Sequence, residues 1–480
     1  VAATEKPVIV WFRRNLRLHD NAALGAAERD GAPVVPVFVR DPPDPSGQAS
    51  DWWLHRSLAS LDADLATRGS SLLILQGPTE TVLPRLATEI GAGALHLERG
   101  HEPGVAAREQ DISTRLSEHG IATRRFAGRL LADPDRFRTG AGGPYRVFTP
   151  FWKALRHGFE SGTPRPAPER LTTPTNLPDG LALEELGLVT ESKEQIAGWE
   201  GDWQPGEAGA REALADFVDG PMADYPEGRD LPGRVGTSRL SPHLHFGEVS
   251  IRTAWHVAAQ AAVGGAERGG EAFLRELGWR DFGAHLLHHF PRIVDEPLQK
   301  KFDTFPWRDD AAALQRWQDG LTGYPLVDAG MRQLRRTGWM HNRVRMVAAS
   351  FLVKHLLIDW RAGERWFRDC LVDFDPASNI VNWQWVAGSG ADAAPYFRIF
   401  NPVLQGTRFD RDGAYVRRWL AEIADLPDRY LHHPWDAPAT TLEAAGIVLD
   451  RDYPAPMVDH AFARKRALSA FQSLTESEKV

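Results

Sequence analysis

Val8-Ile9-Val10-Trp11-Phe12-Arg13-Arg14-Asn15-Leu16-Arg17 decides how the first part of this 480-residue chain is read. Its first five residues are an apolar run ended by charges, the pattern of a short buried strand. The pattern returns at Val34 to Val39, Ser71 to Gln76, Ala94 to Leu97 and Ala122 to Phe126. Between these runs lie helix-like segments such as Trp52 to Thr67, with apolar residues three and four apart. Buried strands alternating with helices predict a doubly wound parallel sheet, an α/β fold. Ligands of such sheets sit beyond the carboxyl ends of the strands. The turn Arg13 to Arg17 has no glycine fingerprint, so a standard NAD-binding fold is excluded.

From about Asp133 to Pro205 the chain is rich in Pro, Gly, Thr and charge. Thr163-Pro164-Arg165-Pro166-Ala167-Pro168 excludes a helix, because prolines at this density force extended or turned backbone. The segment reads as a long surface connector with one helix around Pro150 to Phe159. From Gly206 onward helical periodicity takes over: Ala210 to Val218, Val249 to Ala262, Ala272 to His288, Leu314 to Gln318, Leu326 to Thr337, Asn342 to Leu357, Gly363 to Leu371 and Ala414 to Ile423. The expected organisation is an α/β domain over 1–132, a linker over 133–205 and an all-α domain over 206–480. The tail after Phe471 reads as short, polar and frayed.

The composition is that of an ordinary globular protein, 42% hydrophobic and 25% charged. Cys370 is the one cysteine, so no internal disulfide can form. Val1 to Pro7 does not read as a signal peptide, and no apolar run approaches the ~20 residues that span a bilayer. A cytoplasmic protein without membrane partners is expected. The formal net charge is −8, yet Lys300 to Leu420 carries +5 and the remainder −13. Such a locally positive stretch is what phosphate binding needs. Tryptophan is unusually frequent, at 17. Most of these indoles are expected in the core, but indoles also stack on flat ligands and carry single electrons.

Three stretches carry chemistry. Gly236-Thr237-Ser238-Arg239-Leu240-Ser241-Pro242 precedes a helical segment, and its hydroxyls and backbone amides suit a phosphate. Helix capping is the competing reading. In Thr337-Gly338-Trp339-Met340-His341-Asn342-Arg343-Val344-Arg345-Met346, helical spacing puts Asn342, Arg345 and Met346 on one face. Arg343 points elsewhere. Asp373-Phe374-Asp375-Pro376-Ala377-Ser378-Asn379 is followed by Trp383-Gln384-Trp385. No His or Cys cluster accompanies its carboxylates, so no metal is expected. Hydrogen bonding to a polar organic ligand fits better.

These three stretches, with Tyr396-Phe397-Arg398-Ile399-Phe400-Asn401-Pro402 and the opening Trp11 to Asn21, together resemble the photolyase/cryptochrome family. The likeness is strongest to its bacterial cyclobutane-dimer repair branch. The resemblance runs in order over nearly the whole chain. It implies a Rossmann-like antenna domain, a linker and a helical domain holding U-shaped FAD. Tyr225, Phe273 and the Thr237, Ser238, Arg239, Leu240, Ser241 loop are implied as FAD contacts. Arg345 and Asp373 resemble the ion pair beside the flavin, and Asp375 the residue that hydrogen-bonds the ring edge. Asn379 matches the position facing flavin N5, where plant cryptochromes usually carry aspartate and animal ones cysteine. Trp383, Trp360 and Trp307 match the electron-relay indoles.

On the substrate side, Glu276 matches the carboxyl group that hydrogen-bonds the damaged bases. Trp279 and Trp385 match the indoles that pack a flipped-out dimer. Asn342 and Met346 would complete the pocket, where a (6-4) photolyase would be expected to place histidine. Arg229, Arg343 and Gln405, with Arg280 next to Trp279, resemble DNA contacts. The activity implied is light-driven splitting of pyrimidine dimers in DNA by reduced FAD, in a monomer. A cryptochrome photoreceptor, a (6-4) photolyase and a non-light flavin oxidoreductase are the rivals. Ile380-Val381-Asn382 stands where many bacterial relatives carry glycines, which leaves the subclass open. Gly104-Val105 stands where folate-binding members carry Asn-Glu. The antenna is therefore a deazaflavin, a folate, a flavin or absent.

Overall fold

The computed structural model describes residues 6–41, 46–159, 162–190, 192–393 and 398–477. Tyr396-Phe397 of the last family motif lies outside them. β1 (Val8–Phe12), β2 (Val34–Arg40), β3 (Leu73–Gln76), β4 (Ala94–Glu98) and β5 (Ala122–Phe126) form one parallel sheet in the order β3-β2-β1-β4-β5. β1 is central and wholly buried, because helices cover both faces. β5 closes an edge and carries two adjacent arginines, Arg124 and Arg125, whose charge protects that edge from further pairing. The chain winds outward from β1 to β3 and then crosses back to β4. The crevice where the order reverses opens at the carboxyl ends of β1 and β4.

The remainder is helical. The connector helix runs Phe148–Gly158, close to its expected span. A second connector helix, Lys193–Asp202, was not expected from the proline-rich character before it. Ser192 caps it by accepting from the Gln195 amide at 3.3 Å. Its Trp199, and Trp203 after it, pack on Trp52 and Trp53 of the helix Gln48–Ala66, with ring centroids 5.3 Å apart in each pair. These four indoles are core residues, as expected for most of the tryptophans.

Three expected spans are corrected. Asn342 to Leu357 is an α-helix only to Ser350, then widens into a π-turn, Phe351–Leu356, ended by Leu357 at φ 56°. Ala414 to Ile423 breaks after Trp419. The tail does not fray at Phe471: the helix His460–Ser477 continues because Ala463, Ala467 and Leu474 are buried along one face. Among the described residues, no helix is long and apolar enough to cross a membrane.

The sheet and the helices are locked by buried polar contacts. Trp53 donates to Glu248 at 2.9 Å, and the Leu18 amide donates to Glu207 at 2.7 Å. Arg17 pairs with Glu98 at 2.8 Å and donates to the Gly247 carbonyl at 3.0 Å. Asp281, on the helix Glu267–His289, accepts from the Leu131 and Ala132 amides at 2.7 and 2.9 Å. Burial pushes its carboxyl up to about 7, against the lowering effect of Arg280 and of those amides. The folded state therefore favours the acid form. Its stabilising contribution is complete below the ordinary carboxylate value and is lost as pH rises through about 7. Asp281→Asn keeps an acceptor without the charge. Its Tm relative to wild type should climb between pH 4 and pH 7 in a thermal melt series; parallel curves would contradict the assignment.

Candidate active site and a second cavity

The helices Asn342–Ser350, Trp360–Cys370 and Pro376–Ala387 enclose one cavity. Its wall includes Asn342, Arg345, Met346, Asp373, Asp375, Asn379 and Trp383. The face-sharing expected of Asn342, Arg345 and Met346 is thus realised. Arg345 donates to both oxygens of Asp373, at 2.9 and 3.1 Å, and to the Met340 carbonyl at 2.7 Å. Asp375 caps the helix Pro376–Ala387 by accepting from the Ser378 amide at 2.8 Å. Burial alone would raise its carboxyl, but His245, Arg280 and the Ser378 amide outweigh that and hold it well below the usual carboxylate range.

Asn379 is buried, and its amide nitrogen donates to the Glu364 carbonyl and carboxylate at 3.2 and 3.1 Å. That assigns the amide orientation and leaves the side-chain oxygen as the free polar atom. Glu364 is itself pinned by Arg368 at 2.9 Å. Sequence reading missed Glu364, because an acid–arginine pair four residues apart reads as an ordinary surface pair.

The cradle expected at 236–241 leads into this region. Gly236 packs so closely against the Gly228 backbone that a Cβ would collide with its carbonyl oxygen. Arg239 holds the left-handed conformation at φ 51°, with its guanidinium 3.9 Å from the Trp203 ring centroid and 5.3 Å from that of Trp339. Its Nε is buried without a partner. Among the described residues the Thr237 and Ser241 hydroxyls make no hydrogen bond, whereas Ser238 accepts from the Leu240 amide at 3.4 Å. Leu240 itself is buried. Tyr225 and Phe273 sit side by side with Phe217, at centroid separations of 4.8 to 5.8 Å. Burial pushes the Tyr225 phenol up, and the Glu276 charge adds to this.

Beyond the cavity, Glu276 and Arg229 form an ion pair. Glu276 and Trp279 lie one turn apart and line one groove with Arg229. Arg343 pairs with Asp230 at 2.7 Å and lies 4.5 Å from the Phe409 ring centroid, touching Met346 at 4.0 Å. The Arg343 Nε and the Gln405 side-chain oxygen are buried without partners. Trp385 is half-buried on the helix Pro376–Ala387. Arg280 is the exception among the expected DNA contacts. It donates to the Arg129 and Leu244 carbonyls at 2.8 and 3.3 Å and faces Asp375. One residue beyond Trp279 is about 100° round the helix, which turns it inward to the sheet junction. Leu404, beside Gln405, is 63% exposed and Val235, before the cradle, 79%; neither was singled out from sequence.

The relay candidates run from buried to accessible. Trp383 and Trp360 are buried, whereas Trp307 is half-buried and lines an open groove with Arg308 and Arg365. Gly363 makes room for Trp383, since a Cβ there would overlap the indole. Trp317, not noticed in the sequence, meets Trp383 edge-on at 6.3 Å.

A second cavity of about 510 Å³ opens at the carboxyl ends of β1 and β2 and reaches Glu102 and Pro103 after β4, at the end of the sheet where its topology predicts a ligand. Trp11, Phe38 and Leu54 give it apolar wall, and Arg13, Arg40 and Arg108 line it in ion pairs with Glu109, Asp51 and Asp41. The Arg13 guanidinium lies 4.1 Å from the Trp11 ring centroid. Glu102 is held by Arg129 at 2.6 and 2.9 Å. Pro376 and Ile380 form part of the far wall, so the helix that carries Asn379 and Trp383 separates the two cavities. His245 bridges them: Arg14 lies 3.0 Å from its Nδ1 and Asp375 3.5 Å from the same atom. Burial pushes the His245 imidazole down to about 4, against the raising effect of Asp375, so at neutral pH it is uncharged.

Comparison with known proteins matches residues 8–169 to the family described as DNA photolyase and residues 273–473 to the FAD binding domain of DNA photolyase. A deoxyribodipyrimidine photo-lyase of Agrobacterium fabrum is 48% identical, over 98% of each chain. Cryptochrome-2 of Arabidopsis thaliana is 36% identical, over 99% of this chain and 80% of its own. The crystal structure of a bacterial class III photolyase from Agrobacterium tumefaciens superposes with a TM-score of 0.97 at 47% identity, covering 99% of both chains. An archaeal photolyase from Sulfolobus tokodaii, solved with two FAD molecules, superposes with a TM-score of 0.81 at 30% identity, over 97% of this chain and all of its own. With full-length likeness of this kind behind the cradle, the Arg345–Asp373 pair and Asn379, the chain belongs to the photolyase/cryptochrome family.

Proposed function

We propose that this protein repairs cyclobutane pyrimidine dimers in DNA, using blue light and reduced FAD. The observation that carries the reading is the single cavity that joins Arg345, Asp373 and Asn379 to Asn342 and Met346. A cofactor site and a substrate site thus share one space. When bound, FAD supplies one electron to the dimer on excitation and recovers it after the ring opens. Everything else falls to the protein.

The residues fit that cofactor. The unpartnered Thr237 and Ser241 hydroxyls and the orphaned Arg239 Nε suit a pyrophosphate. Arg345 would hold the polar edge of the ring, with Asp373 balancing its charge. Asp375 would take a ring N–H, its carboxylate kept ionised by its surroundings. The side-chain oxygen of Asn379, freed by the donation to Glu364, would accept from a protonated N5 without adding charge. Trp383, Trp360 and Trp307 would pass a hole outward to the accessible groove at Trp307.

On the substrate side, Arg229, Arg343 and Gln405 would engage the DNA backbone. Two are already ion-paired here, so DNA phosphates must exchange with Glu276 and Asp230. Glu276, released in this way, would hydrogen-bond the bases where charge develops. Trp279 and Trp385 would stack the flipped dimer, and Asn342 and Met346 would close its pocket. The exposed Leu404 and Val235 would fill the gap left in the duplex, as apolar wedges do elsewhere. The second cavity suits a flat antenna chromophore between its aromatic wall and its arginines. We assign the antenna role to 1–132, the connection to 133–205 and the chemistry to 206–480, in a monomer.

Trp383→Phe tests the division of labour. Light-driven reduction of bound flavin should fall at least about tenfold (~1.4 kcal/mol in the rate), while protein reduced chemically beforehand still repairs dimers. Photoreduction at the wild-type rate, or no repair after chemical reduction, would sink the scheme. Glu364→Ala removes the carboxylate acceptor and leaves the Asn379 amide held only by the main-chain carbonyl of residue 364, which loosens its orientation. The flavin potential should drop by roughly 20–65 mV, the equivalent of one hydrogen bond of ~0.5–1.5 kcal/mol. An unchanged potential in spectroelectrochemical titration would remove Glu364 from the account.

A further inference from the structure

Phe148 opens the connector helix Phe148–Gly158 and is 1% exposed. Its ring lies parallel to Trp279, with centroids 3.6 Å apart and planes 8° apart. Trp152, one turn on, continues the stack at 6.3 Å and 13°. That indole rests on Gly278, where a Cβ would come within 2.6 Å of it. Phe282 meets Phe148 edge-on at 5.7 Å, and the Arg275 guanidinium lies 5.4 Å from its centroid. One face of Trp279 is therefore covered by a ring that comes from the connector, not from its own helix.

The same residue has a second neighbour. Val147 offers no side-chain cap to the connector helix, and the Phe148 amide faces the Asp392 carboxylate, lowering it against the raising effect of burial. Asp392 follows the turn Gly388 to Gly390, which packs back on the Gln384 and Trp385 backbone. It holds the left-handed conformation at φ 52°, costly for a residue with a Cβ, and Arg275 faces it too. Phe148 thus stacks on the helix of Trp279 with its ring and turns its amide toward the segment after Trp385.

We infer that Phe148 is a positioning residue for damage recognition: through Trp279 and Asp392 it fixes the gap between the two indoles that clasp the flipped dimer. The inference rests on the proposed role of Trp279 and Trp385. The connector is then more than a tether, because its first helical residue sets one dimension of the substrate pocket. An aromatic pair is stiff and directional, so an aliphatic side chain of similar volume would fill the space without holding the indole plane.

The test measures Kd for a duplex with one thymine dimer and for the same duplex undamaged. Wild type, Phe148→Leu, Phe148→Tyr, Asp392→Ala and Trp279→Ala are compared, each loaded with FAD. Phe148→Leu should weaken dimer binding about fivefold, within the range one aromatic pair supports, and leave undamaged binding unchanged. Phe148→Tyr should restore wild-type discrimination, and Asp392→Ala should share the loss. If Trp279→Ala binds the dimer as tightly as wild type, the proposed pocket itself fails. If Trp279→Ala loses discrimination but Phe148→Leu keeps it, Phe148 does not position the indole. Its positioning role is equally overturned if Phe148→Leu loses both affinities to the same degree, or if tyrosine fails to rescue.

Discussion

The helix Pro376–Ala387 is the constraint on which the rest depends. Twelve residues present three working faces. Asn379 and Trp383 look into the cofactor cavity, Pro376 and Ile380 into the second cavity, and Trp385 stands on the side proposed for substrate. A helix this short cannot hold its own orientation in isolation. It is fixed at its start by the Asp375 cap and along its length by Asn379 on Glu364. At its far end the buried Lys354 Nζ donates to the Ala387 carbonyl at 2.8 Å. The absence of a Cβ at Gly363 lets it approach the neighbouring helix closely enough for Trp383 to be buried.

This arrangement puts two cavities one helix apart. A helix with its side chains is about 10 Å across, so ligands on its two sides lie at a separation suited to passing excitation energy while staying chemically isolated. The polar chain Arg14, His245, Asp375 runs along the same wall and ties the loop after β1 to the cap of the shared helix. Because burial keeps His245 neutral, the chain holds position without placing another cation beside the flavin. The sheet and the helical region therefore meet through contacts that also shape both sites.

The sheet was legible in the sequence because its inner strands β1 and β2 are buried along almost their whole length and read as unbroken apolar runs. The helix Lys193–Asp202 was not, since its anchors, Trp199 and Trp203, answer to indoles about 150 residues away on the helix Gln48–Ala66. Asn342, Arg345 and Met346 could be grouped by helical spacing alone, and they do line one cavity. Arg280 could not be oriented, because its inward turn is set by backbone carbonyls of Arg129 and Leu244. Glu364 and Phe148 were invisible for a related reason. Each acts on a partner distant in sequence, Asn379 and Trp279, and the one local pattern among them, Glu364 with Arg368, reads as a surface pair.

The central claim is that light and this cavity together split one kind of lesion. It is tested most directly with purified, flavin-reduced protein and an oligonucleotide carrying a single thymine cyclobutane dimer, in blue light and in darkness. A matched oligonucleotide with a (6-4) photoproduct serves as comparison. The account predicts restored thymines in light only, and no change in the (6-4) lesion. Photoreducible flavin with no restoration of the dimer, or repair of the (6-4) lesion instead, would contradict it.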